Sequence, residues 1–277
     1  RSNIDVNGIN DLLGPGGGSK LVARNAEAAI KVETGMKGVK IMNLMVSGGT
    51  EAKNIGIHFV GATDNGMLSN IIGINLHTGV KIEQAKNMQI VNCWVCELPN
   101  SIELIGGENI VVKNCQLGAQ PTGITCKVQE VNKLSFINNQ VYPDGRENLV
   151  LDACNNCVIE GNNFKSYYNG ILVLNGNDNT VNKNIFWLTG AVQNQLLDHG
   201  DDFGIINVKG NNNMVASNSL SCEWAYAGAV TVNAVQGTGN VFKNCFVDNL
   251  ESYRVFLVNA QTEVSNCVSS DKVSIVE

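Results

Sequence analysis

Nine cysteines punctuate the 277-residue sequence, at positions 93, 96, 115, 126, 154, 157, 222, 245 and 267. Two pairs, "CWVC" (93–96) and "CNNC" (154–157), have the spacing at which thiolates share a zinc ion. The pairs stand 58 residues apart, and other cysteines recur at the intervals of a repeat. Buried, small, apolar side chains are therefore the stronger reading, and no metal or other cofactor is expected. An odd count leaves at least one thiol free if the others pair. A second chemistry-bearing set is polar: His58, Lys81, Glu83, Glu103, Thr125, Lys127 and Asp152. These residues alternate with Ile57/Phe59, Val80/Ile82, Ile102/Leu104, Ile124/Cys126, Leu149/Leu151 and Ile171/Val173. Successive strand side chains point to opposite faces, so the aliphatic members should line a core and the polar members an outer face. A ligand could lie on that face; a merely solvated sheet surface is the plain alternative.

The elements that would carry these residues repeat. "GVKIEQAKNMQIVNCWV" (79–95), "SIELIGGENIVVKNCQL" (101–117), "NLVLDACNNCVIEGNNF" (148–164) and "GIINVKGNNNMVASNSL" (204–220) share one pattern of short alternating runs broken by Gly and Asn. Units begin near Ala29, Gly56, Gly79, Ser101, Gly123, Asn148, Gly170, Gly204, Gly228 and Arg254, most often 22 residues apart. Period-2 alternation bounded by turn residues means strands, and a fixed period of this size means a solenoid. The expected fold is all-β: a parallel β-helix of about ten coils in one domain over 1–277, with an irregular lead-in at 1–28 and a long loop at 187–203. Asn-rich loops in a β-sandwich are the alternative, but a sandwich does not hold so steady an interval. The 40 Asn and 29 Gly suit the left-handed corners of such coils. Asn43, Asn70, Asn92, Asn114, Asn139, Asn162, Asn184, Asn218, Asn244 and Asn266 are expected near one turn, with Cys93, Cys115, Cys245 and Cys267 following inward.

Toward the C-terminus the outward positions read as apolar: Val150, Leu172, Leu174, Ile206, Val208, Val230, Val232, Phe256 and Val258. Stacked, they would form an apolar stripe of the kind that marks an interface, so self-association is expected there. Cover from the 187–203 loop is the alternative. Net charge is −6 with a pI near 5.2, and Lys and Arg are scattered, which argues against nucleic acid as a partner. No run of 18 or more apolar residues is present, so no membrane span is expected. No signal peptide opens the sequence.

Between residues 56 and 220 the sequence resembles the inulin fructotransferases of glycoside hydrolase family 91, which also holds difructose-dianhydride hydrolases. The resemblance rests on "CELPNSIEL" (96–104), "LGAQPTGIT" (117–125), "YPDGRENLVLDACNNC" (142–157), "NNFKSYYNGILVLNG" (162–176) and "DDFGIINVKGNNN" (201–213). The opening "RSNIDVNG" resembles a segment well inside family members, so a further N-terminal part is implied by the family's layout. The resemblance implies a right-handed parallel β-helix, a homotrimer with sites between subunits, and metal-free cleavage of fructans by intramolecular attack of a fructose hydroxyl. Such chemistry needs two carboxyl groups, one protonating the leaving oxygen and one deprotonating the attacking hydroxyl or stabilising the oxocarbenium-like centre. A fructan substrate would lie outside the cell, so an extracellular or cell-surface location is expected.

The chain departs from the family at the acids. The family Asp falls on Thr122, its partner Glu on Asn132 or Lys133, and a further Glu on Val150. Neither Thr nor Asn protonates a leaving oxygen at ordinary pH. The acids left to serve are Glu130 and Glu103, or Asp201 and Asp202 from a neighbouring subunit. Glu97, Asn100 and Glu103 match family polar positions, Arg146 matches an Arg whose fork suits sugar hydroxyls, and Tyr168 would stack on a sugar ring. With Lys127 and Asp152 these form the expected substrate-binding set. Three functions remain open at this point: a fructan-acting transferase or hydrolase, a catalytically silent β-helix for carbohydrate binding or structure, and another polysaccharide lyase or hydrolase. Each residue also has a plain reading: Glu97 and Asn100 as corner caps, Arg146 as a surface ion pair, Asp201 and Asp202 as solvated loop charges.

Overall fold

Alternating apolar residues separated by residues that tolerate φ > 0 cannot form a long flat strand; they form short strands joined at corners. That is what the computed structural model shows. It describes residues 5–7, 19–23, 26–48, 53–168, 170–189, 202–222, 230–248, 254–269 and 273–276. These contain 27 strands and no helix. The pairings are parallel throughout, each strand stacking on the equivalent strand one coil away. Three parallel ladders result, giving about nine complete coils with partial coils at both ends.

In the early coils one strand passes through two ladders. Thr78–Val91, Asn100–Lys113 and Ile124–Ile137 are each 14 residues long. They bend where Gln84, Gly106 and Glu130, and then Asn87, Asn109 and Lys133, adopt positive φ. Later coils split the same path into separate short strands, such as Glu147–Asp152, Val158–Glu160 and Asn163–Ser166. The segment 1–28, read from sequence as irregular, already contains strands at Asp5–Asn7 and Lys20–Val22 that pair with Lys40–Ser47.

The corner between the second and third ladders explains the asparagines. Asn43, Asn70, Asn92, Asn114, Asn244 and Asn266 occupy it with φ of 52–56°. The next residue of each coil points inward, and there the column changes chemistry along the axis. Cys93, Cys115, Cys245 and Cys267 are buried, as expected. In the middle coils this inward position is held by Asn139, Asn162, Asn184 and Asn218, one residue later than the corner position assigned from sequence. They form a buried ladder. Asn139 Nδ2 donates to Asn162 Oδ1 at 3.0 Å, Asn162 Nδ2 to Asn184 Oδ1 at 2.9 Å, and Asn184 Nδ2 to Asn218 Oδ1 at 3.0 Å. A buried carboxamide is tolerable because every coil supplies its neighbour's partner.

Coils approach closely at the opposite corner. A Cβ placed on Gly176 would lie 1.8 Å from the Cys154 carbonyl oxygen, and one on Gly210 would lie 1.7 Å from that of Gly176. Gly176→Ala is therefore expected to destabilise the protein by about 1–3 kcal/mol, the usual cost of overpacking, and thermal denaturation reads it directly.

The apolar outer stripe is overturned. Leu172, Leu174, Ile206, Val208, Val230 and Val232 are all at most 3% exposed and lie in the core, as do Phe256 and Val258. The paired columns run Val80–Ile102–Cys126–Leu149–Leu172–Ile206–Val232–Phe256. The stretch "ILVL" (171–174) is apolar at every position, so alternation does not fix its phase, and a slip of one residue exchanges the two faces. Val173, not Leu172, is outward there, beside Val150 and then Asn207. Of the proposed stripe only Val150 faces out, and a homotrimer would need another surface. The loop offered as cover, at residues 190–201, lies outside the described residues.

Candidate functional site

Two polar regions come from this architecture. The first is the outer face of the first ladder, where Lys81, Glu103, Lys127 and Val150 stack in successive coils. Glu83 lies two residues along from Lys81, and their side chains meet at 3.0 Å. That contact, assisted by His58 at 3.5 Å, holds the Glu83 carboxyl below its ordinary range against the opposing effect of partial burial. A lowered folded-state value means stability present at neutral pH and lost as pH falls through the folded midpoint. Lys81→Met should raise the Glu83 midpoint, visible by NMR titration, with a stability change within the 0–1 kcal/mol of an exposed pair. Asp152 sits on the same face and accepts a hydrogen bond from Asn175 at 2.7 Å.

The second region starts from a backbone irregularity. The strand Trp94–Leu98 pairs with Gln116–Ala119 in register at Trp94↔Gln116 and Val95↔Leu117, but Leu98 then meets Ala119. One extra residue is accommodated at Cys96–Glu97, and Glu97 takes φ 63° and becomes exposed. Bulges of this kind re-aim side chains. In the next coil Gly118 leaves room above the bulge; a Cβ there would be 3.0 Å from Tyr142 Cβ. The result is a cleft of about 210 Å³ lined by Trp94, Cys96, Glu97, Gly118, Ala119, Tyr142 and Asp144. Tyr142 is 41% exposed, and its hydroxyl donates to Gln116 Oε1 at 3.1 Å, which fixes one wall. Gln120 Nε2 donates to the Glu97 carbonyl at 3.1 Å and holds the bulge. Burial, with the Glu97 charge adding to it, pushes the Cys96 thiol up to about 12, so it is a protonated wall and not a nucleophile. Two carboxylates, two aromatic rings and no cationic side chain line this cleft. A carboxylate pair supplies acid and base, and aromatic faces suit the C–H faces of sugars.

The structure brings some of the expected residues together and separates others. Glu97 lines the cleft. Asn100 begins the next first-ladder strand, beside Thr78. Glu103 and Lys127 are paired neighbours on the outer face. Glu130 lies at an exposed corner, three residues beyond the Glu103 column, roughly 10 Å along a strand, so these two acids do not converge by their backbone placement. Arg146 Nε is 3.8 Å from Glu147, the surface ion pair that is its plain reading. Tyr168 is 4% exposed, so its ring is not offered to a sugar in this chain; burial of the large ring outweighed exposure. Asp202 is exposed, and its backbone carbonyl accepts the Asn233 carboxamide. Asp201 lies outside the described residues. Thr122 is exposed in a turn. The two CxxC pairs sit at different corners of the coil, so they cannot share one ion. Among the described residues no group of three potential ligands forms. Sequence reasoning missed Trp94, Tyr142 and Asp144 as a set. The available signal was the extra residue in "CWVCELPN", since a bulge throws its neighbours out of the alternating pattern.

A family model described as "Right handed beta helix region" matches residues 122–275, more than half of the sequence. The chain belongs to the right-handed β-helix family. Solved structures extend this fold over the whole length. DFA-IIIase from Arthrobacter chlorophenolicus A6 without its lid is similar with a TM-score of 0.83 at 20% identity, covering 100% of this chain and 81% of that one. The same enzyme in complex with GF2 gives 0.77 at 21% identity, covering 91% and 69%, and in complex with DFA-III 0.76 at 20%, covering 91% and 70%. At such identity the likeness shows a shared fold, and it bears out at that level the resemblance read from the residues. None of the curated proteins matches the sequence. No helix among the described residues of this β-helix protein is long and apolar enough to cross a membrane.

Proposed function

We propose that the protein acts on fructose-containing oligosaccharides, with Glu97 and Asp144 as its acid–base pair and Trp94 and Tyr142 as its sugar-facing walls. The observation that carries this reading is the composition of the cleft: two carboxylates and two aromatic rings, without a cation to neutralise the acids. The likeness in fold to an enzyme crystallised with GF2 and DFA-III supports the choice of sugar. Glu97 and Asp144 replace the first-ladder acids as the preferred pair because they line one cavity. One carboxyl would protonate the leaving glycosidic oxygen while the other receives the proton of the attacking hydroxyl or water. A fructan substrate would place the protein outside the cell or on its surface.

Incubation with inulin, GF2 and DFA-III, followed by product analysis, tests this. Turnover of at least one is expected, and Glu97→Gln and Asp144→Asn should each lower it by about 10²-fold or more. A second reading, a β-helix that binds fructose-containing sugars without cleaving them, is favoured by the resemblance to inulin fructotransferases, which sets Thr122 at the position of an Asp. Binding without products would select it. Absence of both binding and turnover would end both readings.

A further inference from the structure

On the outer face of the third ladder, beside the cleft, lies a second concavity of about 640 Å³. Its floor is Met45, Ile72, Ile74 and Trp94 from successive coils, and its rim carries Asn70, Asn92, Asn114 and Gln116. Trp94 lines both, so the two are adjacent. We infer that this shelf binds an uncharged oligosaccharide and holds the part of a glycan chain that extends beyond the cleft. This inference rests on the reading of the cleft for the choice of sugar and for the chain that runs on from it, while the shelf's own fit to a neutral glycan rests on its lining.

Three observations support that occupant. No lining residue carries a formal charge, so nothing there recognises a phosphate, a carboxylate or an ammonium group. Each rim carboxamide both donates and accepts, which matches sugar hydroxyls, while the floor matches the C–H faces of the rings. Two of the four rim amides are committed, Asn70 donating to Asn43 Oδ1 at 2.8 Å and Gln116 accepting from the Tyr142 hydroxyl at 3.1 Å, whereas Asn92 and Asn114 are not. At the corner between the first and second ladders, comparable carboxamides bond one another: Asn109 to Asn87 at 2.7 Å and Asn156 to Asn132 at 2.9 Å. The exposed Asn92 and Asn114 side chains make no such bond within the described chain, although they lie in adjacent coils about 4.8 Å apart. Their spacing repeats along the axis, so successive hydroxyls of one extended chain would meet successive coils.

The test is titration of the whole protein with neutral fructo-oligosaccharides of increasing length, following the Trp94 indole resonance assigned with Trp94→Phe. Ile72→Glu and Asn92→Asp place charge on the shelf without touching the cleft acids. Affinity is expected to rise with chain length in the parent protein. Each shelf variant should lose about tenfold for long chains while leaving GF2 unchanged. Length-independent affinity overturns the shelf and leaves the cleft reading intact. If fructo-oligosaccharides do not bind at all, the cleft reading fails, and the shelf is then judged with neutral gluco- and xylo-oligosaccharides; no shift of the Trp94 resonance with any of them overturns it. Conversion of an oligomer to a monomer by Ile72→Glu, measured by sedimentation, would assign the surface to a second copy of the chain and equally overturn it.

Discussion

Phe164→Ala is expected to lower the unfolding free energy by about 3–5 kcal/mol, the usual cost of truncating a buried aromatic ring. The ring is fully buried in the third ladder. It stacks on Phe186 one coil away, with centroids 5.0 Å apart and planes 3° from parallel, and on Phe136 at 6.0 Å and 15°. Truncation removes the transfer energy of a whole aromatic side chain and leaves a cavity, because parallel strands on both sides fix the backbone and prevent collapse. Phe164→Leu, which refills most of that volume, should cost markedly less. Chemical denaturation of the three proteins measures the difference. Equal, small losses would mean that the ring is not enclosed between coils.

The asparagine ladder gives the second large effect. Asn162 Oδ1 accepts the Asn139 backbone N–H at 2.8 Å, and Asn162 Nδ2 donates to the Phe136 carbonyl at 2.8 Å. Asn162→Leu, close in volume, removes both partners inside a dry core. At about 1–3 kcal/mol for each buried group left without a partner, the expected loss is about 2–6 kcal/mol. The same column predicts an opposite outcome at Cys115, whose backbone N–H already donates to Asn139 Oδ1 at 2.9 Å. Cys115→Asn would extend the ladder by one rung. Its stability should stay within about 1 kcal/mol of the parent, the net worth of one internal hydrogen bond. A severe loss at Cys115 would show that the cysteine and asparagine positions are not equivalent.

The coil was legible because its signals are local and repeated. Left-handed corner residues at Asn43, Asn70, Asn92 and Asn114, and the inward cysteines that follow the last two, are read from spacing alone. The phase of a strand was legible only where polar residues marked one face, as in "VKIE" (80–83). In "ILVL" (171–174) nothing marked it, and the core was read as surface. The column shift at Asn139 has a similar origin, since "INN" (137–139) offers two asparagines for one corner and the second turned inward. The cleft was less legible still. Glu97 could be picked out as a polar residue at a corner. Trp94, Tyr142 and Asp144 join it only through the bulge and through stacking of three coils, which a single strand's pattern does not encode. Tyr168 fails for the converse reason: composition suggests a sugar platform, but burial decides.

The most direct measurement of the account is a crystal structure of the protein soaked with GF2. The sugar is expected between Trp94 and Tyr142, with the Glu97 and Asp144 carboxylates facing the glycosidic oxygens. Density instead over Glu103, Lys127 and Asp152 on the first ladder, with the Trp94 cleft empty, would contradict it.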